Sequence, residues 1–303
     1  MKKKKFCSTF LIAFLISTFT VCSPVQSLPV RMPLEVAIYA VRSEAQLLLI
    51  EPIVIVHYGD DQRYKTIPSL NRPMPENPTK ADYDELEKSL YKSGARVTLF
   101  HGGQKLGIAN INASYVTNIH DGGVVDLTAS IEYKGTGKPL LAAGTSDIPG
   151  HTSNRRVATE DEASILQELS IQQLIEYGLD PQLVRQGAMS EIISSELRKD
   201  AGNALIGRFD VSTELIIYRL FVIGELYDGK YRLTLADLQI QHDIDGRDVM
   251  EREYVDQLDI NNDGVDEIII FERYYECWGY TVWQFDKKQN RWGNTYQFTA
   301  GGL

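Results

Sequence analysis

Cysteine is scarce, with three in 303 residues. Cys7 and Cys22 fall in an opening segment that reads as an export signal. Cys277 is then alone, and an intrachain disulfide is excluded. Histidine is equally sparse. His57, His101, His120, His151 and His242 are scattered without zinc-ligand spacing. Positive charge is in deficit: the formal net charge is -10, and loss of the four lysines at positions 2–5 takes it to -14. Such a surface repels phosphate backbones, which excludes nucleic acid as a partner, and it is compatible with divalent cations. Phosphate-loop chemistry is missing too. Gly102-Gly103-Gln104-Lys105-Leu106-Gly107 lacks the Gly-Lys-Ser/Thr ending and reads as a hairpin turn. Serines such as Ser146 and Ser153 lie in no nucleophile elbow.

What is present is ordinary globular material, 43% hydrophobic and 24% charged, enough for one or two cores. The lysine run is followed by an apolar stretch over 6–21 and by small residues at Ser23 and Ser27. This is the pattern of a cleavable export signal, with cleavage expected after Ser27. Cutting after Ser23 would leave Pro24 at the new N-terminus. An uncleaved membrane anchor is the competing reading, and a lipoprotein signal at Cys22 lacks the usual Leu and small residue before it. The expectation is a periplasmic or secreted protein with no membrane association once the signal is removed.

Residues 34–58 are rich in Val, Ile, Leu and Tyr and predict buried strands. A connector with Pro73, Pro75 and Pro78 follows. Thr79 then predicts a helix N-cap, with Tyr83, Leu86 and Leu90 at helical spacing. Residues 97–133 predict hairpins. The Gly-, Pro-, Ser- and Thr-rich stretch 135–156 predicts a long loop and a domain boundary. Thr159-Glu160-Asp161-Glu162 is a capping box opening a helix that ends at Gly178. Beyond Met189 the pattern is strand and turn, with turns at 201–203, 228–229, 245–246 and 287–290.

One segment carries recognisable chemistry. In Asp259-Ile260-Asn261-Asn262-Asp263-Gly264-Val265-Asp266-Glu267, oxygen-bearing side chains stand at positions 1, 3, 5 and 9. Calcium takes six to eight oxygens at about 2.3–2.6 Å, and alternate residues of a curled loop can supply them. Asp259, Asn261, Asp263 and Glu267 would offer side-chain oxygens, and Val265 its backbone carbonyl. Gly264 permits the sharp turn. An EF-hand needs an acid at position 12, where Ile270 stands in a β-branched run, so a strand is expected next. Over residues 258–286, about a tenth of the chain, the pattern resembles the calcium loop of FG-GAP and VCBS-type repeats. That pattern is Asp-x-Asp/Asn-x-Asp-Gly-x-x-Asp/Glu followed by an apolar strand. One copy is present, without a Phe-Gly-Gly-Ala-Pro-like segment, so a complete propeller is not expected. The whole chain also resembles exported bacterial proteins that end in such a loop, a resemblance that implies no activity.

Two other features have bland readings. Asp243, Asp245 and Asp248 have the wrong spacing for a second loop and read as a turn. The tryptophans Trp278, Trp283 and Trp292, with nearby Tyr and Phe, could stack on sugar rings but read first as cross-strand core packing. The expected fold is α+β, mostly antiparallel β with a few short helices. The expected domains are a signal (1–27), a β-rich domain with one helix (28–150), and a helix followed by an antiparallel domain bearing the calcium loop (151–303). The expected function is that of an exported, non-enzymatic calcium-binding or structural module, with calcium as its ligand and an envelope protein or glycan as partner. The alternative is an extracytoplasmic hydrolase acting on glycan or peptide.

Overall fold

In the computed structural model the apolar runs resolve into three antiparallel sheets. The structure describes residues 35–44, 46–58, 63–65, 84, 87–88, 90–92, 94–118, 125–144, 147–242, 251–274 and 278–300. The export signal, the Pro-rich connector, the 243–248 acidic cluster and Cys277 lie outside the described residues, as does most of the helix expected after Thr79.

The first sheet is a closed six-stranded barrel. Its strands are β1 (Glu35–Glu44), β2 (Leu47–His57), β4 (Arg96–His101), β5 (Gln104–Asn118), β6 (Val125–Glu132) and β7 (Leu141–Ala143). The order is β1-β7-β4-β5-β6-β2, and pairing of β2 with β1 closes the ring; β3 (Arg63–Lys65) extends one edge of β2. The expected hairpin at Gly102-Gly103 joins β4 to β5. Strand β7 comes from the stretch that composition marks as loop. Only three residues long, it is fully buried and bridges β1 to β4.

The outer sheet holds β8 (Arg156–Val157), β9 (Ala188–Met189), β10 (Ile193–Arg198), β11 (Gly202–Ser212), β12 (Ile217–Tyr227) and β13 (Lys230–Gln241). One face is covered by α1 (Glu160–Glu176) and the short α2 (Pro181–Val184). Thr159 and Glu162 form the expected reciprocal cap on α1, and Leu166, Ile171 and Leu174 are its buried face. The middle sheet is β14 (Glu251–Leu258), β15 (Glu267–Arg273), β16 (Trp278–Asp286) and β17 (Arg291–Ala300), in sequence order.

The middle sheet is buried on both faces. Leu258, Ile269, Tyr280 and Val282 join the core of the barrel. Ile268, Ile270, Trp283 and Trp292 pack on Ile206, Phe221 and Ile223 of the outer sheet. Successive strand residues point to opposite faces, so a strand covered on both sides needs an unbroken apolar run, which is what Ile268-Ile269-Ile270 supplies. Each of these isoleucines is 0% exposed, worth about 1.5–3 kcal/mol apiece as an upper range. From Glu35 to Ala300 the described residues belong to one compact unit.

The expected α+β class is thereby corrected. The described residues are dominated by strand (58% strand, 12% helix), an essentially all-β architecture built from a barrel and two further sheets. Helix α1 is a cover on one sheet face and forms no layer of its own to pair with a segregated sheet, as α+β architecture requires. No helix among the described residues is long and apolar enough to cross a membrane.

Candidate functional site

Between Leu258 and Glu267 the chain reverses from β14 to β15 around its own side chains. Asp259 accepts from the amides of Asp263 (Oδ1, 3.0 Å) and Gly264 (Oδ2, 3.0 Å). Asn261 Oδ1 accepts from Asp263 N at 2.9 Å, and Asp263 Oδ1 from Val265 N at 2.9 Å. Asn262 (φ 57°) and Gly264 (φ 83°) take the left-handed conformation, which Asn and Gly tolerate best.

Glu267 closes the loop from β15. Its Oε2 accepts from Ile260 N at 2.8 Å, and Oε1 from Asn261 Nδ2 at 2.6 Å and Gln284 Nε2 at 2.8 Å. The Ile260 peptide is also held from the barrel, where Tyr58 Oη donates to its carbonyl at 2.6 Å. Glu267 is 2% exposed. Burial pushes its carboxyl up to about 8; hydrogen bonds from Gln284 and Ile260 oppose this, while the charges of Asp259 and Asp263 add to it. Burial likewise raises Asp259. Asp263 is exposed, with Lys287 Nζ 3.4 Å from its Oδ2, and Val265 is buried.

The five predicted residues are thus gathered in one loop, closed on its own amides. Among the described residues, no three or more His, Cys, Asp or Glu side chains form a group that could hold a metal. The available donor set is oxygen-rich: two aspartates, an asparagine and a glutamate. Oxygen donors of these types are the ones hard cations take, but here they are turned onto the loop's own amides and are not gathered as a ligand set.

Sequence reasoning missed the surroundings of the loop. His151 Nε2 lies 2.7 and 3.0 Å from the two Asp266 oxygens, and its backbone N donates to Gly103 O at 3.1 Å. Gln257 Nε2 donates to Asp266 Oδ2 at 2.6 Å and to Glu196 O at 2.5 Å. Gly103 has φ 77°, and a Cβ there would stand 2.0 Å from His151 Nε2, so only glycine lets the histidine approach. His151, Glu196, Lys199, Asp259 and Asp266 border a pocket of ≈ 200 Å³ beside the loop. No local signal could have paired His151 with a partner 115 positions away.

The hydrogen bond to Asp266 raises His151 from 6.5 to about 9 against the opposing effect of burial. A raised histidine value stabilises the fold fully below about 6.5 and loses that contribution as pH climbs through 9. The melting-temperature gap between wild type and His151→Gln is therefore expected to narrow from pH 7 to pH 10. A gap that stays constant would show that His151 is not held charged.

The same geometry bears on catalysis. His151 Nδ1 is 3.1 Å from Thr152 O while Nε2 faces Asp266, so neither ring nitrogen is left for a nucleophile. His101 Nδ1 is tied to Lys138 O at 2.8 Å. The tryptophans are packing and latch residues: Trp283 and Trp292 are 6% and 3% exposed, and Trp278 Nε1 donates to Glu51 Oε1 at 2.9 Å.

The chain matches no protein-family model, no curated protein and no solved structure, so the reading of this site rests on its own geometry.

Proposed function

We propose that this is an exported calcium-binding protein of non-enzymatic, structural or binding character, whose ion ties β14 to β15. The observation that carries the reading is the buried Glu267 carboxyl, facing Asp259 and Asp263 at the turn of a doubly buried sheet. Burial and the two aspartates disfavour the ionised form of Glu267, and a divalent cation in the loop would favour it. The FG-GAP/VCBS-like spacing and the strand that follows the loop agree with it. Asp259, Asn261, Asp263, the Val265 carbonyl and Glu267 would hold the ion, which would neutralise the loop. The lysine-led opening segment supports an extracytoplasmic location, and the acidic surface favours an envelope protein or glycan over nucleic acid as partner.

The test is thermal unfolding in calcium, magnesium and chelator, with calorimetric titration. Binding to the native state alone stabilises it by about 2.7 kcal/mol at a hundredfold excess over the dissociation constant. Magnesium is expected to substitute poorly, because it demands octahedral geometry and keeps its waters. Asp263→Ala should abolish most of the gain. Val265→Ala should preserve it, since only the backbone carbonyl is used. Equal midpoints in calcium and chelator, with no binding heat, would overturn the reading.

A further inference from the structure

A second concavity, a cleft of ≈ 260 Å³, lies away from the loop between the outer and middle sheets. Strand register decides which side chains face it. On β11, Arg208 pairs with Phe221; on β14, Arg252 and Tyr254 pair with Glu272 and Ile270. Phe221 and Ile270 belong to the core between these two sheets, so Arg208, Arg252 and Tyr254 point into the same layer. Glu253 pairs with Phe271, which packs on the barrel core, and it stands on the opposite face of β14. The floor is apolar: Ile206 and Phe221 are 1% and 2% exposed, and half-buried Ile193 borders the same cleft.

Three guanidinium groups border this cleft, those of Arg155, Arg208 and Arg252, in a chain whose net charge is -10. Each is held by an acid. Arg208 Nε sits 3.0 and 3.1 Å from the two Asp210 oxygens. Arg155 Nη1 is 2.9 Å from Asp256 Oδ1, and Arg252 Nε is 2.6 Å from Glu272 Oε1, with Asp237 as its second partner. None of those four acids borders the cleft, so they anchor the arginines without filling it. The two terminal nitrogens of Arg208 have no acceptor among the described residues, and a pair of guanidinium N–H groups matches the two oxygens of a carboxylate. On the cleft's own face the opposing charge is Glu191, which is exposed.

We infer that this cleft binds a small apolar carboxylate, its anionic group on the terminal N–H pair of Arg208 in the field of Arg155 and Arg252, and its hydrocarbon on Ile193, Ile206 and Phe221. A cation would meet three guanidinium groups. An uncharged apolar molecule would cover the floor and leave the Arg208 donors without an acceptor, which forfeits a charged hydrogen bond. Size limits the hydrocarbon to a few carbons, because the cleft is smaller than the ~300–1,000 Å³ of sites for drug-sized ligands.

The experiment is calorimetric titration of the full chain with hexanoate, hexanol and hexylammonium, in chelator so that the result stands apart from the calcium loop. Variants Arg208→Gln and Glu191→Lys are titrated alongside. Saturable binding of hexanoate is expected, about tenfold or more tighter than that of hexanol, which lacks the charge. Hexylammonium should give no saturable heat. Arg208→Gln should erase the preference for hexanoate over hexanol. Glu191→Lys changes an exposed position and should tighten hexanoate about threefold at low salt, leaving hexanol unchanged. The inference is overturned if hexanoate gives no saturable heat, if hexanol or hexylammonium binds as tightly, or if folded Arg208→Gln keeps the preference. Should Arg208→Gln fail to fold, Glu191→Lys decides alone: hexanoate affinity unchanged or weakened in that variant overturns the proposal.

Discussion

Asp256→Ala should cost about 3–5 kcal/mol of stability, the largest loss expected of any single substitution here, because it strands a buried cation. Asp256 is 0% exposed and lies on β14. It accepts from Gly102 N through both oxygens, at 2.9 and 2.8 Å, and from Arg155 Nη1 at 2.9 Å. One carboxylate thus fastens the barrel's β4–β5 turn, the connector before β8 and the middle sheet. Burial pushes its carboxyl up to about 6, with Arg155 and the Gly102 amide opposing. At neutral pH it is still ionised, so its removal leaves the Arg155 guanidinium without its counter-ion in the interior. The double variant Asp256→Leu/Arg155→Met should recover most of the loss, since a buried pair exchanged for apolar groups is often neutral. Urea denaturation of both variants checks this. A single variant within 1 kcal/mol of wild type would show that the pair does not fasten the layers.

Glu51→Ala should cost about 2–4 kcal/mol, through loss of a buried acceptor that two donors share. Glu51 is 2% exposed on β2. It accepts from Trp278 Nε1 at 2.9 Å and Tyr280 Oη at 2.8 Å, both on β16, with Arg42 Nε at 3.2 Å. The Arg42 contribution is discounted because that side chain is 41% exposed. Glu51→Gln keeps one accepting oxygen and should lose roughly half as much. Equal losses in the two variants would point to packing and not to the hydrogen bonds.

Local chemistry was legible in the sequence wherever neighbours in the chain are neighbours in space. The Thr159 cap, the Asp228-Gly229 hairpin and the 259–267 loop are each specified within a few residues. The barrel was not legible, because its closure depends on β7, three residues in a stretch whose Gly and Pro content marks a loop. Glu51 reads as an interruption of an apolar run; its meaning depends on Trp278 and Tyr280, more than two hundred positions away. Asp266 was visible as a carboxylate beside the loop, but nothing in the linear pattern assigns it to His151 in place of a cation.

The order of the layers in space differs from their order along the chain. The barrel strands are made first, the outer sheet next, and the sheet that lies between them last. Until the residues from Glu251 onward are made, the apolar faces of the barrel and of the outer sheet lack the middle sheet that packs on them. Such faces are where newly made chains associate wrongly. Placement of β14 to β17 covers both faces with one sheet.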